Sequence, residues 1–372
     1  MRLEELVEKA EAIVRDAKHD GLRAFWNSFY ALEDTGRIPI KITLTMRFFA
    51  NNLGIDLIDH YLKPERYVED SLRVLCFQHE QIPDDRVIRG IVINFGEPFE
   101  SSLFGSQPIF KADRDPLVGR PVIKTEEDLE DIDHPDFYQS GLMPQVLEVY
   151  EAAEKLVNGR IPVFFESWDR SPWGVATHLR GLAELLKDTI RNPDFVHRLL
   201  AFITESRIRW ENERAKFLGA KAKRASLQND EVNARVISSR TYEDFAHPYE
   251  AKLADFYPNG IFYFHSCGDI TPFLDIITAL RGLRRLHISP ATNFKTAAHK
   301  LGRRFVFQKR LDPAKDLELC GPKAMKQRIK EVLEIGRGTF MELDPGPLQD
   351  APLHKVKQWI KLTRHAVKLG SK

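Results

Sequence analysis

The chain is poor in cysteine: Cys76, Cys267 and Cys320 are all that its 372 residues contain. An odd, sparse set excludes a disulfide framework and points to a reducing compartment. Neither sign of charge is in surplus. The formal net charge is +1 with 29% charged residues, which leaves no basic surplus for a nucleic acid. The most basic stretch, Lys355 to Lys368, is interleaved with Val356, Trp359, Ile360 and Leu362, and predicts a last amphipathic helix with a solvated face. Apolar runs stop at strand length, far short of the ~20 residues of a membrane helix. The acidic, amphipathic start of the chain lacks the apolar core of a signal peptide. A cytoplasmic protein is expected, monomeric or homodimeric, with neither membrane nor nucleic acid as partner.

What is present is core-forming material. Hydrophobic residues make up 43% of the chain, enough for one domain over 1–372. Eight β-rich runs stand out: Ile38–Thr45, Val87–Asn94, Pro162–Trp168, Lys223–Gln228, Ile261–Cys267, Leu283–Ser289, Arg304–Lys309 and Thr339–Asp344. Most are followed by helical patterns, so the alternation predicts an α/β fold of the (β/α)8 TIM-barrel type. Helices are predicted over Pro144–Val157, Pro193–Trp210 (capped by Asn192), Thr241–Tyr257 (bent at His247-Pro248), Pro272–Leu280 and Pro322–Ile335. Two parts exceed a minimal barrel: N-terminal helices over 1–36, and an insertion over 95–160 that would fold across the barrel mouth.

His265-Ser266-Cys267-Gly268 closes the fifth run. Side chains two apart on a strand share a face, so imidazole and thiol can converge in the mouth, where barrel active sites sit. Mixed nitrogen and sulfur donors suit Zn²⁺. Cys76 lies in an apolar run and Cys320 precedes a helix, and both read as structural. Glu342 and Asp344 close the eighth run on a common face. Two buried acids are costly unless they hold a cation or a base. Asn229-Asp230-Glu231 ends the fourth run and could bind substrate or serve as acid and base, with Glu166 at the end of the third. Trp168, Arg170 and Trp173 suggest a pocket wall for a flat ligand, and His287 and Gln308 complete a polar ring.

Several pieces in order resemble the uroporphyrinogen decarboxylase superfamily over roughly residues 160–360, and more loosely from Arg37. They are Leu179-Arg180-Gly181-Leu182, Asn192-Pro193, Ser238-Ser239-Arg240-Thr241-Tyr242 with His247-Pro248-Tyr249, Phe264-His265-Ser266-Cys267-Gly268, and Leu311-Asp312-Pro313 with Gly321-Pro322. The His-x-Cys-Gly piece is similar to the corrinoid-linked methyltransferase branch. The arginine-rich Gln-Ala-Gly-Arg element of the decarboxylases is replaced here by Thr45-Met46-Arg47-Phe48-Phe49. The resemblance implies zinc on His265 and Cys267. The branch's second cysteine, near the last strand, has no counterpart, so Glu342 or Asp344 would substitute. It further implies methyl transfer between a small-molecule donor or thiol acceptor and a corrinoid protein carrying methylcobalamin or a related corrinoid. The metal would act as Lewis acid. Oxygen ligands would make it harder and favour polarising a donor's leaving atom over activating a thiol. The alternatives are a metal-free decarboxylase acting on a tetrapyrrole or polyacid through Arg47, Arg170 and Lys309, and a non-enzymatic corrinoid-binding scaffold.

Overall fold

The computed structural model describes residues 2–370. Its first half contains a parallel pair, β1 (Ile91–Val92) with β4 (Val163–Phe164), and an antiparallel hairpin of β2 (Ile109–Lys111) and β3 (Arg114–Leu117). Its second half is a continuous parallel sheet in the order β5 (Ala225–Gln228), β6 (Ile261–His265), β7 (Arg285–Ile288), β8 (Val306–Arg310), β9 (Phe340–Asp344). An isolated bridge of Arg170 with Gln228 links the end of the third run to β5. Bridges of Ile40 with Leu343 and Leu44 with Leu348 bring the first run alongside β9. The order is that of an eight-position α/β barrel whose ladder does not close among the described residues. No helix among them is long and apolar enough to cross a membrane.

The first run, expected as a strand over 38–45, is the place where the ladder fails. One edge bonds to β9, with Lys41 N–H donating to Leu343 O at 3.0 Å. The other edge meets the turn Asp84-Asp85-Arg86 instead of β1, with Asp85 N–H donating to Ile40 O at 2.8 Å. Ile40 N–H donates to Asp85 Oδ2 at 2.8 Å, Ile42 N–H to Asp84 Oδ2 at 2.9 Å, and Arg86 Nη2 to Ile42 O at 2.7 Å. Buried backbone groups must find partners, and here two buried carboxylates stand in for a neighbouring strand.

Strand alternation sorts the two faces of the sheet. Phe264, Leu286, Phe307 and Leu343 are buried in the main core, and the alternate positions of β7, β8 and β9 are polar except Val306 and Phe340 at the strand starts. Arg285 pairs with Glu342, and Arg310 with Asp344 at 3.2 Å, so the interior charges neutralise one another. The helix Ala17–Tyr30 covers the strand starts: Trp26 and Phe29 pack with Val306 and Phe340. The C-terminal helix Leu353–Gly370 buries Val356, Trp359 and Ile360 and leaves Lys357, Lys361 and Lys368 exposed, as its pattern predicts.

Helix signals in the second half are obeyed. Asn192 accepts from Phe195 N–H and starts Pro193–Leu218; Pro322–Ile335 has the expected bounds. The expected bend at Pro248 is a π-helical turn over Tyr242–Ala246, running into the helix His247–Phe256. Proline offers no N–H to the preceding turn, and a wider turn absorbs the mismatch. Between the first run and β1, Met46–Leu53, Leu57–Leu62 and Pro64–Gln81 are helical, and Cys76 is buried in the last. The 95–160 segment carries β2, β3 and the helix Met143–Val157. Its Glu100 accepts from Asp169 N–H and Arg170 N–H, both at 2.9 Å, which ties it to the end of the third run.

The exit of β5 is braced from below. Buried Glu250 accepts from Tyr242 Oη at 2.6 Å and from Asn229 Nδ2, and Asn229 Oδ1 accepts from Ser171 Oγ at 2.7 Å. Burial outweighs these two donors and pushes the Glu250 carboxyl up to about 7.

Two outcomes are expected. Asp85→Ala strands the Ile40 N–H and removes the partner of Arg37 and Arg364; it should lower stability by about 2–3 kcal/mol, read from urea unfolding. For Glu250, the folded value lies above the ordinary ~4.3, so the folded state holds an extra proton between about pH 4.3 and 7. Its contribution is complete below that window and is lost as pH rises through it. Glu250→Gln should therefore gain stability relative to the parent between pH ~5 and ~7.5, by at most on the order of 3 kcal/mol. Parallel stability curves for the two proteins would refute this.

Candidate metal centre

Parallel pairing of β5 with β6 sets Gln228 opposite His265, and Asn229 N–H donates to His265 O at 2.9 Å. The chain leaves β5 one residue later, so Asp230 arrives beside the exit of β6. There its Oδ1 accepts from Cys267 N–H at 2.7 Å. His265 Nε2 lies 3.3 Å from Cys267 Sγ and 3.4 Å from Asp230 Oδ1. One donor atom from each of the three residues falls within 4.8 Å of the others, the one such cluster found among the described residues. Ligands on a tetrahedral zinc at 2.0–2.3 Å stand about 3.3–3.8 Å apart. The two distances from His265 Nε2 fit that spacing.

The turn that carries Cys267 is tightly held. Ser266 Oγ donates to Val232 O at 2.9 Å and accepts from Gly268 N–H at 3.0 Å. A side chain at Gly268 would bring Cβ to 2.4 Å from Asn233 Cβ, so only glycine allows this approach.

Burial works to raise the Asp230 carboxyl, but His265 when its ring is protonated, the Cys267 N–H and Arg170 together hold it well below the usual carboxylate range. The Cys267 thiol is pushed up to about 12 by desolvation and then by the Asp230 carboxylate, with Arg310 opposing. A metal would have to displace the thiol proton, as metal binding to cysteine generally does.

Beneath His265 lies an ordered layer. Its Nδ1 is 2.9 Å from Tyr263 Oη, which donates to Gln308 Oε1. Gln308 Nε2 donates to Asp344 Oδ2 at 3.2 Å. The His287 ring stacks on His265 with centroids 4.1 Å apart and 11° between planes, and its Nδ1 bonds Ser266 O at 2.6 Å.

The residues expected at the site divide accordingly. His265, Cys267 and Asp230 are brought together, with Asp230 beside the pair rather than standing apart as an acid–base group. Glu342 and Asp344 stand outside the cluster. Glu342 is paired with Arg285 and accepts from Tyr30 Oη at 3.4 Å, and Asp344 is enclosed by Arg310, Thr43 and Gln308. Trp168 and Trp173 are core residues: both are essentially inaccessible, and Trp168 packs on Phe104 and Trp210. The expected aromatic wall is thereby corrected. Glu166 is buried and accepts from Phe95 N–H at 2.7 Å; burial pushes its carboxyl well up, and its place is that of a brace rather than a catalyst. Asn229 and His287 are wholly buried: Asn229 is taken up by Glu250 and Ser171, and His287 Nδ1 bonds Ser266 O while its Nε2 has no hydrogen-bond partner. Gln308 turns toward Tyr263 and Asp344. Arg170 is held between Glu97 and Glu231.

A cavity of about 1120 Å³ lies apart from the cluster, with Val92, Phe164 and Glu97 in its lining. Of its lining residues, Glu97 pairs with Arg170, which also pairs with Glu231; none of Asp230, His265 and Cys267 lines it. Three participants were missed in the sequence. Tyr263 could have been found, since it sits two residues before His265 on the same face. Glu97 and Arg310 carried no local signal.

Comparison with known proteins accords with this architecture. The chain matches the uroporphyrinogen decarboxylase (URO-D) family over residues 90–366. A uroporphyrinogen decarboxylase from Campylobacter concisus (strain 13826) is 26% identical over 211 residues, which cover 51% of this chain and 56% of that protein. The chain thus spans little more than half the length of that relative. A methyltransferase from Methanosarcina mazei has the same fold, with a TM-score of 0.69 and 19% identity over 92% of this chain and 98% of that one. Because the family match runs from the start of β1 into the C-terminal helix, the chain belongs to the uroporphyrinogen decarboxylase family.

Proposed function

We propose that this protein is a zinc-dependent methyltransferase that moves a methyl group between a small molecule and a corrinoid protein. The observation that carries the proposal is the convergence of Asp230, His265 and Cys267 at the exits of β5 and β6. The methyltransferase of the same fold supports it. Zinc, when bound, would supply Lewis acidity to the heteroatom that carries or receives the methyl group. His265 would hold it through Nε2, Cys267 through Sγ and Asp230 through a carboxylate oxygen. A carboxylate in place of a second thiolate leaves a harder site, which suits an ether or amine leaving group. Glu231 stands next in the chain. Burial raises its carboxyl, Arg170 opposes this, and Oε2 has no hydrogen-bond partner, so this atom is placed to hold a proton for the departing group.

The decarboxylase reading finds less support. Its three carboxylate clamps are engaged elsewhere. Arg47 bonds Asp350, Arg170 bonds Glu97 and Glu231, and Lys309 lies on the far face of β8 against Ser289 O at 3.0 Å.

Purified protein should carry about one zinc per chain by metal analysis. Cys267→Ala and Asp230→Ala should each weaken zinc by more than the 10–100-fold typical of indirect partners. Both should abolish methyl transfer from a small methyl ether or methylamine to reduced cobalamin. Well under one zinc per chain, with transfer unchanged in Cys267→Ala, would sink the proposal. Turnover of uroporphyrinogen by the zinc-free protein would replace it with the decarboxylase reading.

A further inference from the structure

We propose that Tyr263, Gln308 and Asp344 form a directional hydrogen-bond relay that sets which nitrogen of His265 faces the metal cluster. The inference rests on the metal reading above for its purpose, though not for its geometry.

The direction of the relay follows from its anchor. Asp344 is buried and surrounded by donors: Thr43 Oγ1 at 2.6 Å, Thr43 N–H at 3.1 Å, Gly346 N–H at 3.1 Å and Arg310 Nη2 at 3.2 Å. Arg310, Thr43 and the Gly346 N–H together outweigh burial and hold its carboxyl below the usual range. An ionised carboxylate can only accept. Gln308 must therefore present its amide nitrogen to Asp344 and its oxygen to Tyr263. The Tyr263 hydroxyl then donates its one hydrogen to Gln308, and its oxygen can only accept from His265 Nδ1 at 2.9 Å. The hydrogen of the neutral imidazole is thereby fixed on Nδ1. The lone pair of Nε2 is left facing Cys267 Sγ and Asp230 Oδ1.

One contact holds the imidazole in this pose and another holds its partner Tyr263. His287 stacks on His265 almost in parallel, and the Arg285 guanidinium lies 4.3 Å from the Tyr263 ring centre. Asp344 is already neutralised by Arg310 without the relay. The chain from Gln308 to Nδ1 is thus not needed to satisfy the buried acid; its effect falls on the imidazole. Histidines that bind metals depend on such a partner at the other nitrogen for orientation and basicity. Tyr263, Gln308 and Asp344 are positioning residues, and the acid at the end of β9 acts on the site through two intermediaries rather than by direct ligation.

The test begins with metal-free protein labelled with ¹⁵N in histidine, held well above the ordinary imidazole pKa of ~6.5. The His265 signals are assigned by their loss in His265→Gln. The relay requires the Nδ1–H tautomer in the parent protein. Tyr263→Phe keeps the ring over Arg285 and removes only the hydroxyl; it should lose that tautomer preference and weaken zinc or cobalt affinity by about 10–100-fold. Gln308→Met breaks the same chain at another link and should act in the same direction, which guards against a folding defect peculiar to one variant. An Nε2–H tautomer in the parent overturns the relay without any variant. Unchanged tautomer and affinity in both variants also overturns it. A parent protein with the Nδ1–H tautomer that takes up no metal supports the relay and overturns the metal reading, so the two fail separately.

Discussion

The register of β5 against β6 is the constraint on which the candidate site depends. Gln228 opposite His265 places the next turn of one strand against the next turn of the other. A slip of one residue would reverse every side chain on the strand and send His265 into the helical layer. That register is secured on both sides. Below it, Leu227 and Phe264 are paired and fully buried. Above it, Asn229 is fastened to Glu250 and Ser171, which fixes where Asp230 begins. The site is therefore built from two turns whose relative position is set by a sheet, which is a stiffer mount than a pair of free loops.

The second constraint is charge inside the barrel. Lumen positions of many barrels are filled by branched aliphatic residues. Here Arg285, Arg310, Glu342 and Asp344 occupy such positions on β7, β8 and β9. Unpaired, each would be prohibitive, and they survive as pairs. This pairing explains why the two acids at the end of β9 do not stand as open ligands. Glu342 balances Arg285 in the lower layer. Asp344 balances Arg310 in the upper one and still has an oxygen to accept from Gln308. An acid on the correct face of the correct strand is not thereby available, because its charge belongs first to the nearest cation.

This marks the boundary of what was legible in the sequence. Alternation told that His265 and Cys267 share a face, and that Glu342 and Asp344 do. Capping and proline signals placed Pro193–Leu218 and Pro322–Ile335. These are local properties, carried by residues a few positions apart. The third member of the cluster was not local. Asp230 meets Cys267 across 37 residues of chain, through a register that no short pattern encodes. The first run failed as a strand for a related reason: its composition is strand-like, but Asp84 and Asp85 occupy the edge that β1 would need. Trp168 and Trp173 misled because aromatic residues among charges read equally as a ligand wall or as core. Burial decided it, and burial is a tertiary property.

The donor set bears on which direction of methyl transfer the proposed site would serve. Two thiolates beside an imidazole would put two negative charges on sulfur around a dication, softening it toward a thiol substrate. Here sulfur is one of three donors, and the second anionic donor is the carboxylate of Asp230. A carboxylate oxygen is a harder ligand than a thiolate, so a bound zinc would keep more of its acidity. Cys267 is the counterweight. Its thiol must lose a proton held far more firmly than usual, so metal uptake would release that proton into a neighbourhood of carboxylates. The histidine between them would be the adjustable member. Its basicity depends on how strongly Tyr263 accepts from Nδ1, and that in turn on Gln308 and on the charge of Asp344. The acidity of the proposed centre would then be tuned from the far end of β9, by a residue that never approaches the metal.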